Sequence, residues 1–217
     1  MKTVKLVFAL VCSFVVAGAH GNVAQNFIQN AKNGNLQKVQ SYIAKGGNVN
    51  VSTKYGTTAM IAASEKGHVE IVEMLISARA NVDAGHCVGS ALLAASGNGH
   101  IDIVKLLIKN GANVNLKPRH GPTPFIAAVM QKDVKMAKVF LEAGADMYMK
   151  DSNGVSSYDW AKRNDHSEMI RLLLDTQRKI KAKEAKMSRA TRAFRAISNP
   201  TGAHFGNLTA VKNARCK

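Results

Sequence analysis

The side chains best suited to chemistry in this 217-residue chain are its seven histidines, three cysteines and fourteen carboxylates. Their spacing argues against a reaction centre. His68, His100 and His166 each follow a turn residue in a recurring pair, Gly67-His68, Gly99-His100 and Asp165-His166, where an imidazole is expected to hydrogen-bond the neighbouring turn. His20 and His204 lie near the two ends of the chain. Only His86, Cys87 and His120 fall close together, on neighbouring loops of a repeated framework. Loops held on packed helices are spaced roughly 10 Å apart, too far for three ligands to close a tetrahedral metal shell without movement. No phosphate-cradling glycine loop, nucleophile elbow, H-E-x-x-H or C-x-x-C occurs. The expectation is a non-enzymatic chain with no cofactor and no metal.

The elements that place these residues repeat. The segments Gly56 to Ala63, Ser90 to Ala95, Gly121 to Ala128 and Gly154 to Ala161 superimpose, with hydroxyls at Thr58, Ser90, Thr123 and Ser156 in register. A second motif follows each: Gly67 to Ile76, Gly99 to Ile108, Lys132 to Leu141 and Asp165 to Leu174. Full units close on Arg79-Ala80-Asn81-Val82, Gly111-Ala112-Asn113-Val114 and Gly144-Ala145-Asp146-Met147. An opening half-unit, Phe27 to Asn50, ends in Gly46-Gly47-Asn48-Val49-Asn50. A period near 33 residues is the signature of a solenoid.

One unit reads as two helices. The hydroxyl caps the first by accepting from backbone N–H groups that have no helical partner, and Pro124 suits a first helical turn. Gly67 and Gly99 permit the turn between helices, where positive φ favours glycine. Ile71, Val72, Leu75 and Ile76, and likewise Ile103, Val104, Leu107 and Ile108, form one buried face of the second helix. The Asn-Val-Asn text then leads into an extended loop. Lys132 and Asp165 replace the turn glycine in the last two units, so those turns should be less ideal. The stretch Gly85 to Gly89 is one residue short, which predicts a tighter or bent loop.

These motifs resemble the ankyrin repeat, whose pattern runs G-x-T-P-L-H-x-A-A-x-x-G-H, then I-V-x-L-L and G-A-D. The resemblance covers residues 22–175 and implies an all-α solenoid of stacked helix-turn-helix units joined by finger loops: a capping half-unit and four repeats. The pattern's internal histidine is absent; Ile61, Leu93, Ile126 and Asp159 stand there, so apolar packing is expected in its place. By resemblance, partner proteins are recognised through finger tips and the exposed ends of the first helices. Carried over, that marks Lys54, Tyr55, His86, Arg119, His120 and Asn153 on the fingers. On the helix ends it marks Lys66, Met130 and Arg163. Tyr and Arg are the favoured anchors, because they join contact area to polar reach. The cations bias the groove toward an acidic partner. The module is expected to act as a monomer.

Outside the repeats, residues 1–19 read as a cleaved signal peptide: Lys2 and Lys5, an apolar run from Leu6 to Val16, and Ala17-Gly18-Ala19 at the cleavage positions. That predicts a secreted or periplasmic protein. Cys12 lies in the leader; Cys87 and Cys216 then remain, with three states open to them: a mutual disulfide, free thiols or a link to another chain. Asn50-Val51-Ser52 and Asn207-Leu208-Thr209 are glycosylation sequons, relevant only in a eukaryotic source.

Charge is concentrated at the far end. The net charge is +16, and residues 175–217 hold eleven Lys/Arg against two Asp/Glu. Within residues 176–217, the stretch Thr176 to Ile197 lacks Gly and Pro and predicts a basic C-terminal helix, with Leu173, Ile180, Met187 and Phe194 seven residues apart. The remainder is expected to be disordered. The primary functional expectation is an exported protein-binding module, acting on a periplasmic partner or as an effector on a host. The alternative is binding of an anionic membrane surface or a nucleic acid through the basic helix.

Overall fold

Thr58, Ser90, Thr123 and Ser156 each adopt extended backbone and start a short helix. Their hydroxyls accept from the backbone N–H of Ile61, Leu93, Ile126 and Asp159 at 3.2 to 3.3 Å. The structure, a computed structural model, describes residues 23–85 and 89–198. The leader, His86, Cys87, His204, Cys216, the Asn207 sequon and the expected disordered end lie outside the described residues.

Residues 23–32 form α1. Then follow α2 (Leu36–Ala44), α3 (Ala59–Lys66), α4 (Val69–Ser77), α5 (Ala91–Gly97), α6 (Ile101–Lys109), α7 (Pro124–Met130), α8 (Val134–Glu142), α9 (Ser157–Arg163) and α10 (Ser167–Ser198). The helices α2 to α9 have seven to nine residues. Helices so short are marginal in isolation and persist only through packing. The described residues carry no strand, only isolated antiparallel bridges at Ser52–Thr58 and Lys150–Ser156.

Packing gives two layers. The first helices of successive units pack in sequence, α3 on α5, α5 on α7 and α7 on α9. The second helices form the other layer, with α2 on α4, α4 on α6 and α6 on α8. All of Ala59 to Ser64 is buried, because alanine lets neighbouring helices approach from more than one side. Ile71, Val72 and Leu75, and their counterparts Ile103, Val104 and Leu107, are buried as expected; Ile76 and Ile108 are half-buried against the core. Leu107 is fully buried, so Leu107→Ala would cost about 2–5 kcal/mol. Where the pattern has a histidine, Ile61 and Ile126 are buried and Leu93 is partly so, whereas Asp159 makes a reciprocal capping box with Ser156.

The turns follow the glycine logic and its exceptions. Gly67 and Gly99 have φ of 78 and 76 degrees. Lys132 and Asp165 hold the same conformation at 59 and 52 degrees, and Arg79, in place of the closing glycine, sits at 60 degrees. An L-residue there is disfavoured by about 1–2 kcal/mol, so the last two inter-helix turns are strained.

The units are also stitched through their loops. Asn48, Asn81, Asn113 and Asp146 each accept, through the side-chain oxygen, from the backbone N–H two residues on, at 2.8 to 3.0 Å. Between units, Asn50 Oδ1 accepts from Asn81 N at 2.7 Å, Asp83 Oδ1 from Asn113 N at 3.0 Å, and Asn115 Oδ1 from Asp146 N at 2.7 Å. Tyr148 occupies the next position of this ladder and is exposed.

The chain divides into two compact units, one ending at Leu173 and one beginning at Leu174. In the first, Met169 and Leu173 of α10 are buried. In the second, α10 continues as a helix to Ser198.

Candidate functional site

The loops between units decide how rigidly the expected binding residues are presented. In the first finger, Thr53 N donates to Thr57 O and Gly56 N to Thr53 O, both at 2.9 Å. The Thr53 hydroxyl accepts from Tyr55 N and Thr57 N. Gly56 closes the turn at φ 84 degrees. Tyr55 stands at the tip, 64% exposed, with Lys54 Nζ 4.8 Å from its ring centroid. A cation over an exposed aromatic ring contributes about 0.5–1 kcal/mol and orients both side chains.

Arg119 and His120 are exposed on the third finger, and Asn153 on the fourth. These two fingers are tied: Gly121 N donates to Ser152 Oγ at 3.0 Å and Ser152 N to Gly121 O at 3.2 Å. The fourth finger is built on Asp151, which is 4% exposed. Its carboxylate accepts from Asn153 N, Val155 N and Trp160 Nε1 at 2.8 to 3.1 Å. Burial pushes its pKa up, but the bonds from Val155, Trp160 and Asn153, with the charge of Lys117, outweigh burial and hold the carboxyl below the usual range.

Along the first-helix ends, Met130 is 42% exposed and Arg163 is exposed. Gln131 Nε2 donates to Gly97 O at 2.7 Å and fixes this edge between two units. Lys66 is not an isolated cation, because Glu65 Oε1 lies 2.9 Å from its ammonium. That bond holds the Glu65 carboxyl below its usual range; partial burial opposes it and Lys32 reinforces it. Of the nine residues expected to bind, eight are described and all eight are exposed; His86 lies outside the described residues. Sequence reasoning missed Tyr148, 55% exposed. Its signal was an aromatic residue where the earlier units place Asn50, Asp83 and Asn115.

The histidines divide. His68 Nε2 lies 3.0 Å from Lys32 O and His100 Nε2 lies 3.2 Å from Glu65 O, the expected contact with the preceding turn. His166 does not make it: its ring is buried and neither nitrogen has a partner. The cause lies in the preceding unit. The rings of His68 and His100 lie where a Cβ on Gly34 or Gly67 would come within 2.8 or 2.7 Å. The corresponding turn before His166 has Lys132, which carries a Cβ where Gly34 and Gly67 have none.

A family model described as ankyrin repeats, in three copies, matches residues 27–118 and again 93–184. The chain is also 29% identical over 140 residues to a protein of Treponema pallidum (strain Nichols) named "Putative ankyrin repeat-containing protein". That alignment takes in 64% of this chain and 47% of the relative, so the chain spans about half the length of the curated relative it matches.

Proposed function

From the premise that the chain belongs to the ankyrin-repeat family, whose members serve as protein-interaction modules, we propose that it binds a partner protein through its finger tips and first-helix ends. The observation that carries this is Tyr55: a large aromatic residue, well exposed and paired with Lys54, on a finger held by its own hydrogen bonds. A preformed loop loses little freedom on binding, so more of the contact energy appears as affinity. Arg119 and His120, on fingers braced through Gly121 and Ser152, extend the same surface.

The partner surface is acidic. Lys54, Arg119 and Arg163 are exposed on the fingers and helix ends, whereas Asp151 and Asp159 are engaged in finger and cap bonds. With the leader removed after Ala19, the module works in the periplasm or outside the cell. N-terminal sequencing of the natural product should then begin at or near His20; an intact Met1 on a soluble cytosolic protein would refute export.

For binding, affinity capture with the protein from its own source, followed by calorimetry on the captured protein, provides the test. Tyr55→Ala with Arg119→Ala should weaken binding at least about tenfold, or about 1.4 kcal/mol. Truncation after Asp175 should weaken it less, and mostly at low salt. Abolition by truncation with normal binding by the double variant would sink the groove reading.

A further inference from the structure

We propose that α10, from Leu174 onward, is an interfacial helix that lies on an anionic lipid surface. Residues 175–198 carry eight Lys/Arg and two acidic residues, Asp175 and Glu184. Arg178 lies 3.4 Å from Asp175 in an exposed pair. At 100 degrees per residue, the positions of the eight bases leave one sector of the helix without a base, with Glu184 towards one edge of it. Ile180, Met187 and Thr191 fall in that sector, and Phe194 continues the spacing in the sequence. Ile180 and Met187 are 39% and 68% exposed.

Thr191 adds an independent observation. Its hydroxyl donates to Met187 O at 2.9 Å, so this polar group of the stripe is satisfied by the helix itself. A hydroxyl bonded in that way can enter an apolar medium without leaving an unpaired donor. This suits a surface of acyl chains below charged headgroups, with the flanking Lys and Arg stems reaching the headgroups. Each base near such a surface contributes about 1 kcal/mol, so charge supplies most of the attraction and the narrow stripe sets the depth. Among the described residues no helix is long and apolar enough to cross a membrane.

The other occupants fit less well. A second copy would need apolar residues at both seam positions of a heptad. The partners of Ile180 and Met187 in that seam are Gln177, Glu184 and Thr191, and two such basic helices repel. A nucleic acid would use the bases alone and leave Ile180 and Met187 without a role.

The test is flotation of the full chain with vesicles of phosphatidylcholine, with and without about 30% phosphatidylglycerol, beside titration of a random-sequence DNA duplex. Binding to the anionic vesicles should exceed binding to the neutral ones at least about tenfold. Ile180→Glu with Met187→Glu, both exposed and so outside the core, should lower vesicle binding at least about tenfold, by replacing the two exposed apolar residues of the stripe with charge. Duplex binding should change less, by the charge alone. The proposal is overturned if anionic vesicles do not bind. It is equally overturned if the double variant binds them as wild type does, or if the duplex binds more tightly than the vesicles and shares their loss in the variant.

Discussion

Replacing Gly67 by alanine adds one methyl group that meets two separate obstacles. Gly67 sits at φ 78 degrees, where an L-residue costs about 1–2 kcal/mol. Alanine's smaller unfolded-state entropy offsets about 0.4–1 kcal/mol of that. Gly99, at 76 degrees, meets the same two terms, and nothing lies within 4 Å of its Cβ position. Gly99→Ala should therefore cost about 0.5–1.5 kcal/mol. At Gly67 the new carbon would stand 2.7 Å from Cε1 and 2.9 Å from Nδ1 of His100. The ring must leave and give up its bond to Glu65 O, a further loss of about 0.5–1.5 kcal/mol. Gly67→Ala should then cost about 1–3 kcal/mol in total. Urea titration followed by far-ultraviolet circular dichroism measures this, provided the slope is unchanged, since a solenoid can unfold by parts. His100→Ala removes the obstacle, so the double-mutant cycle should show coupling of at least about 0.5 kcal/mol. Equal midpoints for Gly67→Ala and Gly99→Ala, or an additive cycle, would refute the seating of the ring on the glycine.

Lys132→Gly should raise stability by about 0.5–1 kcal/mol, the relief of positive φ less glycine's unfolded-state entropy. The gain should be larger when His166 is present to take the vacated seat, so a His166→Ala background that leaves it unchanged would contradict this. Asp151→Asn should cost about 1–3 kcal/mol at neutral pH through weaker charge-assisted bonds. Because the folded pKa of Asp151 is depressed, its contribution is present above the unfolded value of about 3.9 and lost as pH falls through the lower folded value. The wild-type advantage over Asp151→Asn in urea melts should thus shrink only in strong acid, and a constant advantage would oppose the assignment. Asn115→Ala breaks a bond to the next unit and one to Gly144 O and should cost about 1–2 kcal/mol. Tyr148→Ala, at the same position of the last loop, should stay within about 0.5 kcal/mol, as thermal melts of the two would show.

The two-helix unit was legible in the sequence because its signals are local. A capping hydroxyl, a turn glycine and the Ile-Val face each act within a few residues, and Thr58, Gly67 and Ile71 behave as their types require. Strain at Lys132 and Asp165 was legible for the same reason, since a missing glycine names its own consequence. The unpaired ring of His166 was not. Its cause is a Cβ in the preceding unit, thirty-four positions earlier, and each residue alone matches an ordinary variant of the motif. The loop ladder was likewise hidden, because the Asn-Val-Asn text predicts a polar loop without indicating which carboxamide reaches across. Exposure of the described candidate binding residues followed from their place in the unit. The neutralising contact of Glu65 with Lys66 depended on side-chain rotation.

The ladder of loop bonds gives the array a direction. Asn50, Asp83 and Asn115 each offer an oxygen to the loop that comes later in the chain, so every junction has a giving and a receiving side. Tyr148 offers neither a carboxamide nor a carboxylate and ends the series. Duplicated units placed ahead of Tyr148 would arrive with their own oxygen and their own N–H, and the enlarged array would keep one bond per junction. The same cassette placed behind Tyr148 would meet a loop with nothing to offer it. An engineer lengthening this protein should therefore splice into the middle of the series, and leave the terminal loop as the stop.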